Sequence, residues 1–211
     1  MWSSRLGTVF LSLFALASLS RASLIYSTDG TAAPGFNSGA GYGSYVGSNS
    51  TAAMFVAASS GILSDIVVAA SSVGNGTFQE NIELRLDNSG VPGTVIDTIA
   101  ITVPNSPALV TGISTSNPSL IAGQKYWLED TEPPTAVVGW HLSSPAISGT
   151  VLASTSDNGP WEPTCPPCNG VFPALALIGQ STAVPEPSTV ELILGSVLVV
   201  IALRRTLCRR L

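Results

Sequence analysis

The stretch from Asn81 to Val103 constrains the fold more than any other. In it Ile82, Leu84 and Leu86 alternate with Glu83 and Arg85. Successive side chains of an extended chain point to opposite faces, so this period of two predicts a half-buried strand. Asn88, Ser89, Gly90, Pro92 and Gly93 then supply turn formers in quick succession. Alternation resumes from Thr94 to Val103, with Ile99, Ile101 and Val103 on one face. Two amphipathic strands across a Gly- and Pro-containing loop predict an antiparallel pair.

The flanking sequence repeats the theme. Ala52 to Ala58 and Ile62 to Ala70 are apolar enough for sandwich strands, and Gly61 before the second with Gly74, Asn75 and Gly76 after it brackets a strand length better than a helix length. A short strand near Leu109 to Ile113 lies between breaks at Asn105 to Pro107 and at Asn117 and Pro118. Lys125 to Glu129 alternates, Glu132 to Pro134 breaks it, and Val137 to Leu142 resumes with Val138, Trp140 and Leu142 on one face. Weaker strands are expected at Thr150 to Ser154 and Phe172 to Ile178. Asp29 to Ser48, rich in Gly and Ser, reads as irregular, ending in an early strand. About seven to nine short strands, and no helical pattern before Pro187, predict an all-β chain: an antiparallel β-sandwich or jelly roll.

The two ends follow other rules. Met1 to Ala22 reads as a secretory signal peptide: Arg5 is the positive start, Leu6 to Leu19 carries no charge, and Ser20 and Ala22 put small residues where a signal peptidase inspects them. At the other end, Val184, Pro185, Glu186, Pro187, Ser188 and Thr189 precede an uncharged run from Leu192 to Leu203 and then Arg204, Arg205, Arg209 and Arg210. Pro185 and Pro187 lack backbone donors, so a helix cannot propagate back through them, while Ser188 or Thr189 caps one that starts there. Twelve residues at about 1.5 Å each span roughly 18 Å, so a transmembrane helix over about 190–203 reaches across the roughly 30 Å hydrocarbon core only with help from Val190 and the arginine stems. Four arginines with no acidic residue after Leu203 predict a cytoplasmic C-terminus, with everything before Pro185 outside.

This motif, apolar run and arginine cluster, in that order, resemble the PEP-CTERM sorting domain of bacterial exported proteins; Glu191 and Cys208 depart from the pattern without touching the motif. The resemblance implies recognition by an exosortase, a membrane cysteine protease-transpeptidase that cuts near the Pro-Glu-Pro motif and removes the helix. It also implies a place in the cell envelope or extracellular matrix of a bacterium that makes exopolysaccharide. An ordinary single-pass tail anchor is the competing reading. The expected organisation is a signal peptide over 1–22, a Gly/Ser-rich segment over 23–51, a sandwich domain over 52–180 and a sorting signal over 181–211, its basic tail being 204–211.

A second resemblance covers roughly Ala52 to Gln180. Leu84 to Thr94, Ala122 to Leu128, Trp140 and Asp157 to Trp161 look like the choice-of-anchor R domain, a family of surface modules carried by various anchoring signals. It implies a β-rich surface domain and supplies no catalytic residue. Charge agrees with an exported module. Between Ser23 and Pro187, twelve carboxylates stand against Arg85 and Lys125, a net −10, whereas the whole chain is −5. Such a domain is repelled by phosphate backbones and anionic lipid, which disfavours nucleic-acid binding.

Few residues offer chemistry. Cys165 and Cys168 have the spacing of a redox dithiol, but Asn169, Gly170 and Pro173 block the helix that a thioredoxin-type site needs after it. A local disulfide in an oxidising compartment is the expectation, with free thiols, redox work and metal binding as alternatives. Zinc would need two more ligands, and His141 is the only histidine; no metal or cofactor is expected. His141 alternates with Val138, Trp140 and Leu142 and is expected at the surface. Glu80 with Glu83, or Glu129 with Glu132, can be written as acid and base, or as calcium ligands with Asp87 or Asp157, and solvated loops are the simpler account. Trp127 and Trp161 are the candidate glycan contacts, since an exposed indole beside carboxylates is what a sugar ring stacks on; the competing reading has each indole plugging the sandwich.

Two functions follow. The first is a non-enzymatic envelope or matrix protein, handled by signal peptidase and exosortase, held by its C-terminal helix in the inner membrane until processed, and associated with exopolysaccharide. The alternative is an extracellular hydrolase of carbohydrate, which needs a carboxylate pair on one open face.

Overall fold

The alternation between Asn81 and Val103 is realised as two antiparallel strands, β5 (Phe78–Asp87) and β6 (Pro92–Val103), with Ile82 opposite Ile99. Ile82, Leu84, Ile99, Ile101 and Val103 are all buried. The turn between them uses left-handed backbone at Ser89 and Gly90, with φ of 58° and 92°, and the Asp87 carboxylate accepts the Gly90 N–H at 3.2 Å. The computed structural model describes residues 22–43, 50–73, 76–131, 137–154, 160–163 and 171–180. The expected signal peptide, sorting signal and Cys165–Cys168 pair lie outside them.

Among the described residues thirteen strands form two antiparallel sheets, and no helix occurs. The first sheet has six strands in the order β12 (Glu162–Pro163), β11 (Val151–Ser154), β3 (Ser50–Val56), β9 (Lys125–Thr131), β5, β6. The second has seven: β1 (Ala22–Ser27), β13 (Leu175–Gln180), β4 (Gly61–Val73), β10 (Val137–Ser143) and β2 (Phe36–Gly43), with β7 (Ala108–Ile113) and β8 (Ser119–Leu120) also paired to β4. β4 is the spine of this sheet. Its thirteen residues are long enough to pair with four strands, β13, β10, β7 and β8, and its inward row of Ile66, Val68 and Ala70 is fully enclosed.

Both sheets turn apolar rows toward one shared core, in which Phe55 stacks on Tyr126 at 5.7 Å and touches Tyr26 at 5.1 Å. At one side β7 comes against β6. A Cβ on Gly112 would lie 2.5 Å from Ile99 Cγ2 and 2.7 Å from Ile101 Cγ2, so this close approach requires glycine. The same joint is tied by Ser114, whose hydroxyl donates to Asp97 Oδ2 at 2.5 Å.

Several strand ends meet at one pole of the sandwich. Here β3 ends and β9 begins, with Val56 opposite Lys125; β4 begins, with Gly61 opposite Leu120; and Ala22 meets Gln180, so the described chain enters and leaves together.

Two expectations need correction. The stretch from Asp29 to Ser48, expected irregular with an early strand at its end, holds β2 near its middle, and Ser23 to Ser27 before it belongs to β1. Of the segment over 23–51, β1 and β2 are therefore part of the seven-stranded sheet, because Ile25 is a core residue and β2 is recruited by backbone pairing with β10 rather than by an apolar stripe. The alternation of Val138, Trp140 and Leu142 also breaks. Register shifts between His141 and Leu142, which leaves Val138 and Trp140 in the core and Leu142 only half-buried.

Candidate functional site

The richest cluster of polar and aromatic side chains lies on the outward face of the six-stranded sheet. Alternation on β9 sends Tyr126 and Leu128 into the core and Trp127 and Glu129 outward, while on β5 Ile82 and Leu84 point in and Glu83 and Arg85 point out. Register then places Arg85 opposite Trp127 and Glu83 opposite Glu129. Arg85 lies between the two carboxylates: its Nη2 is 2.5 Å from Glu83 Oε2 and its Nε is 2.6 Å from Glu129 Oε2, while Nη1 donates to the Gly93 carbonyl at 3.1 Å. Glu129 is 0% exposed and the Arg85 side chain 8%, so this is an enclosed ion cluster.

Several sequence expectations change here. Glu129, expected solvated, is sealed against Arg85 and closed to any polymer. Glu80 and Glu83 do not form a pair, because the strand turns Glu80 inward, where it is buried, and Glu83 outward. Glu132 and Asp157 lie outside the described residues. Asp87 accepts hydrogen bonds from Trp127 Nε1 at 2.8 Å and from the Gly90 N–H, so its oxygens already serve the indole and the turn. Among the described residues no three His, Cys, Asp or Glu side chains gather as a metal site.

Trp127 lies on the side of β9 away from the main core, but it is not the exposed indole expected. The indole is fully buried, since that outward face is covered: Trp127 forms a second small core with Ala52 and Leu152, against which Met54, Val91 and Trp161 pack. Trp161, just before β12, is half-buried and is the indole of the two that still meets solvent.

On the outer face of the other sheet, His141 is not the surface residue expected. It is 8% exposed, its Nε2 shares a 2.8 Å hydrogen bond with the Ser71 hydroxyl, and its ring packs 5.9 Å from Phe36. Asp29, in the loop after β1, has a carboxyl held well below its ordinary value. Burial raises it, but the Gly35 N–H, the Thr31 hydroxyl and N–H and the Ser27 hydroxyl outweigh that and bring it down to about 2. Those donors close the loop from Ser27 to Gly35, which is a structural task.

The role of Arg85 was missed at the level of sequence. Its signal was present: Glu83 and Arg85 share a strand face, and Arg85 is one of two basic residues between Ser23 and Pro187. No family model matches the chain, and no curated protein matches it.

Proposed function

We propose that this chain is an exported protein of the bacterial cell envelope or extracellular matrix, sorted and processed by an exosortase and associated with exopolysaccharide without transforming it. The observation that carries the reading is the order of Val184 to Thr189, the uncharged run and the arginine cluster. The precursor in this reading adds a signal peptide over 1–22 and one membrane helix over about 190–203 to the sandwich. Support comes from the strands of the described residues, which run from Ala22 to Gln180 and so, but for the first residue of β1, lie between the expected cleavage site and the motif. The likeness to the choice-of-anchor R domain points to the same class of surface module. Cys165 and Cys168 close a disulfide after export.

The sealed state of Glu129 counts against the carboxylate pair that the hydrolase alternative needs. Glycan contact in this proposal falls to Trp161, with Trp127 as the floor beneath it. The test is the intact mass and cell fraction of the mature protein in its producing strain, beside a Pro185→Ala/Pro187→Ala variant. Wild type should lose everything C-terminal to the motif, and the variant should keep its helix and stay in the membrane. A wild-type protein that retains residues 190–211 refutes exosortase processing and leaves a tail anchor.

A further inference from the structure

The most exposed large apolar side chains of the described residues gather toward one pole of the sandwich. Ile113 and Ile121 are 68% and 59% exposed, and Val56 and Val95 are exposed as well. Val56 ends β3 opposite Lys125, and Ile121 follows Leu120, the partner of Gly61. Ile113 pairs with Asp65, four residues from the start of β4, and Val95 lies three residues beyond the start of β6. Single exposed apolar residues need no explanation. These four share the pole at which Gln180 ends the last strand.

We infer that this pole is a lipid-facing surface, laid against the bilayer interface through Ile113, Ile121 and Val56 while the precursor is anchored. The inference rests on the sorting reading of the C-terminus. From Gln180 to an expected span beginning near residue 190, ten residue steps reach at most about 36 Å, so the end of β13 stays near the membrane for as long as the helix is attached. Charge favours the same orientation. A tethered body of net −10 is repelled by anionic lipid over about a Debye length, so an end that presents an exposed cation is the one favoured to face it. The exposed Lys125, one of the two basic residues between Ser23 and Pro187, stands at this pole opposite Val56, whereas the other, Arg85, is buried.

The experiment uses the full-length precursor in vesicles of phosphatidylethanolamine with a minority of phosphatidylglycerol, doped with a diazirine lipid. Photolabelled peptides are mapped by mass spectrometry. Label is expected in 190–203 and in the peptides carrying Val56, Ile113 and Ile121, with none in those carrying Gln79 and Thr102 at the opposite pole. Ile113→Ser/Ile121→Ser changes exposed positions that the fold tolerates, and it should lose the label of the domain while keeping that of the helix. Label in 190–203 with none at the pole overturns the inference and leaves the sorting reading intact. Absence of label from 190–203 overturns the sorting reading and this inference with it. Chain-to-chain adducts at Ile113 and Ile121 in place of lipid adducts assign the pole to a second copy and overturn the lipid assignment.

Discussion

Replacing Arg85 by methionine tests whether the outward ion cluster is a structural clamp. The variant keeps an apolar stem, deletes the guanidinium that lies 2.5 Å from Glu83 and 2.6 Å from Glu129, and leaves two carboxylates in directly opposed positions of β5 and β9. Removing one member of a buried ion pair costs about 3–5 kcal/mol. Glu83, 20% exposed, can turn toward water, which favours the lower end, and the lost hydrogen bond to the Gly93 carbonyl adds about 1 kcal/mol. The expected loss is therefore about 4 kcal/mol, a large share of the roughly 5–15 kcal/mol that holds a domain of this kind folded. Arg85→Met/Glu129→Leu replaces the pair by apolar groups and should recover to within about 1 kcal/mol of wild type. Urea unfolding of the mature protein, followed by tryptophan fluorescence at neutral pH, reads both values. A single variant within about 1 kcal/mol of wild type, or a double variant no better than the single, refutes the clamp.

Trp127→Ala should cost about 3–5 kcal/mol in the same assay, whereas Trp161→Ala, at a half-buried position, should cost well under half of that and lower retention on exopolysaccharide resin. Gly112→Ala forces a Cβ against Ile99 and Ile101 and should destabilise by about 1–3 kcal/mol, read as a fall in urea midpoint. Ser114→Ala removes the hydroxyl that donates to the buried Asp97 and should cost about 1–3 kcal/mol. Asp29 has its folded value depressed from 3.8 to about 2, so its contribution is present above 3.8 and is lost as pH falls toward 2; Asp29→Asn should flatten that acid limb, checked by thermal midpoints across the window.

Much of the fold was legible. Period-two alternation marked β5, β6, β9 and β10, and turn residues marked their breaks, because one wet and one dry face leave a trace in the order of residues. β1 and β2 left little trace. β1 is short and follows the expected cleavage site directly, and β2 is mostly Gly, Ser and Asn and is held by the ladder it joins.

The candidate site was legible only in part. Alternation over Lys125 to Glu129 sets Trp127 and Glu129 on one side of β9, and the structure turns that side away from the core without exposing it. Nothing local says that Leu152, Met54, Val91 and Trp161 come to lie over that side, since they arrive from other strands and loops.

By itself, the sequence determined the all-β character, the spacing of most strands and the acidity of the body, all of which are properties of neighbouring residues. Register between distant strands is not such a property. Tertiary structure alone decided that Arg85 meets Glu129, that the outward indole is buried, and that the exposed isoleucines share a pole with the end of the last strand.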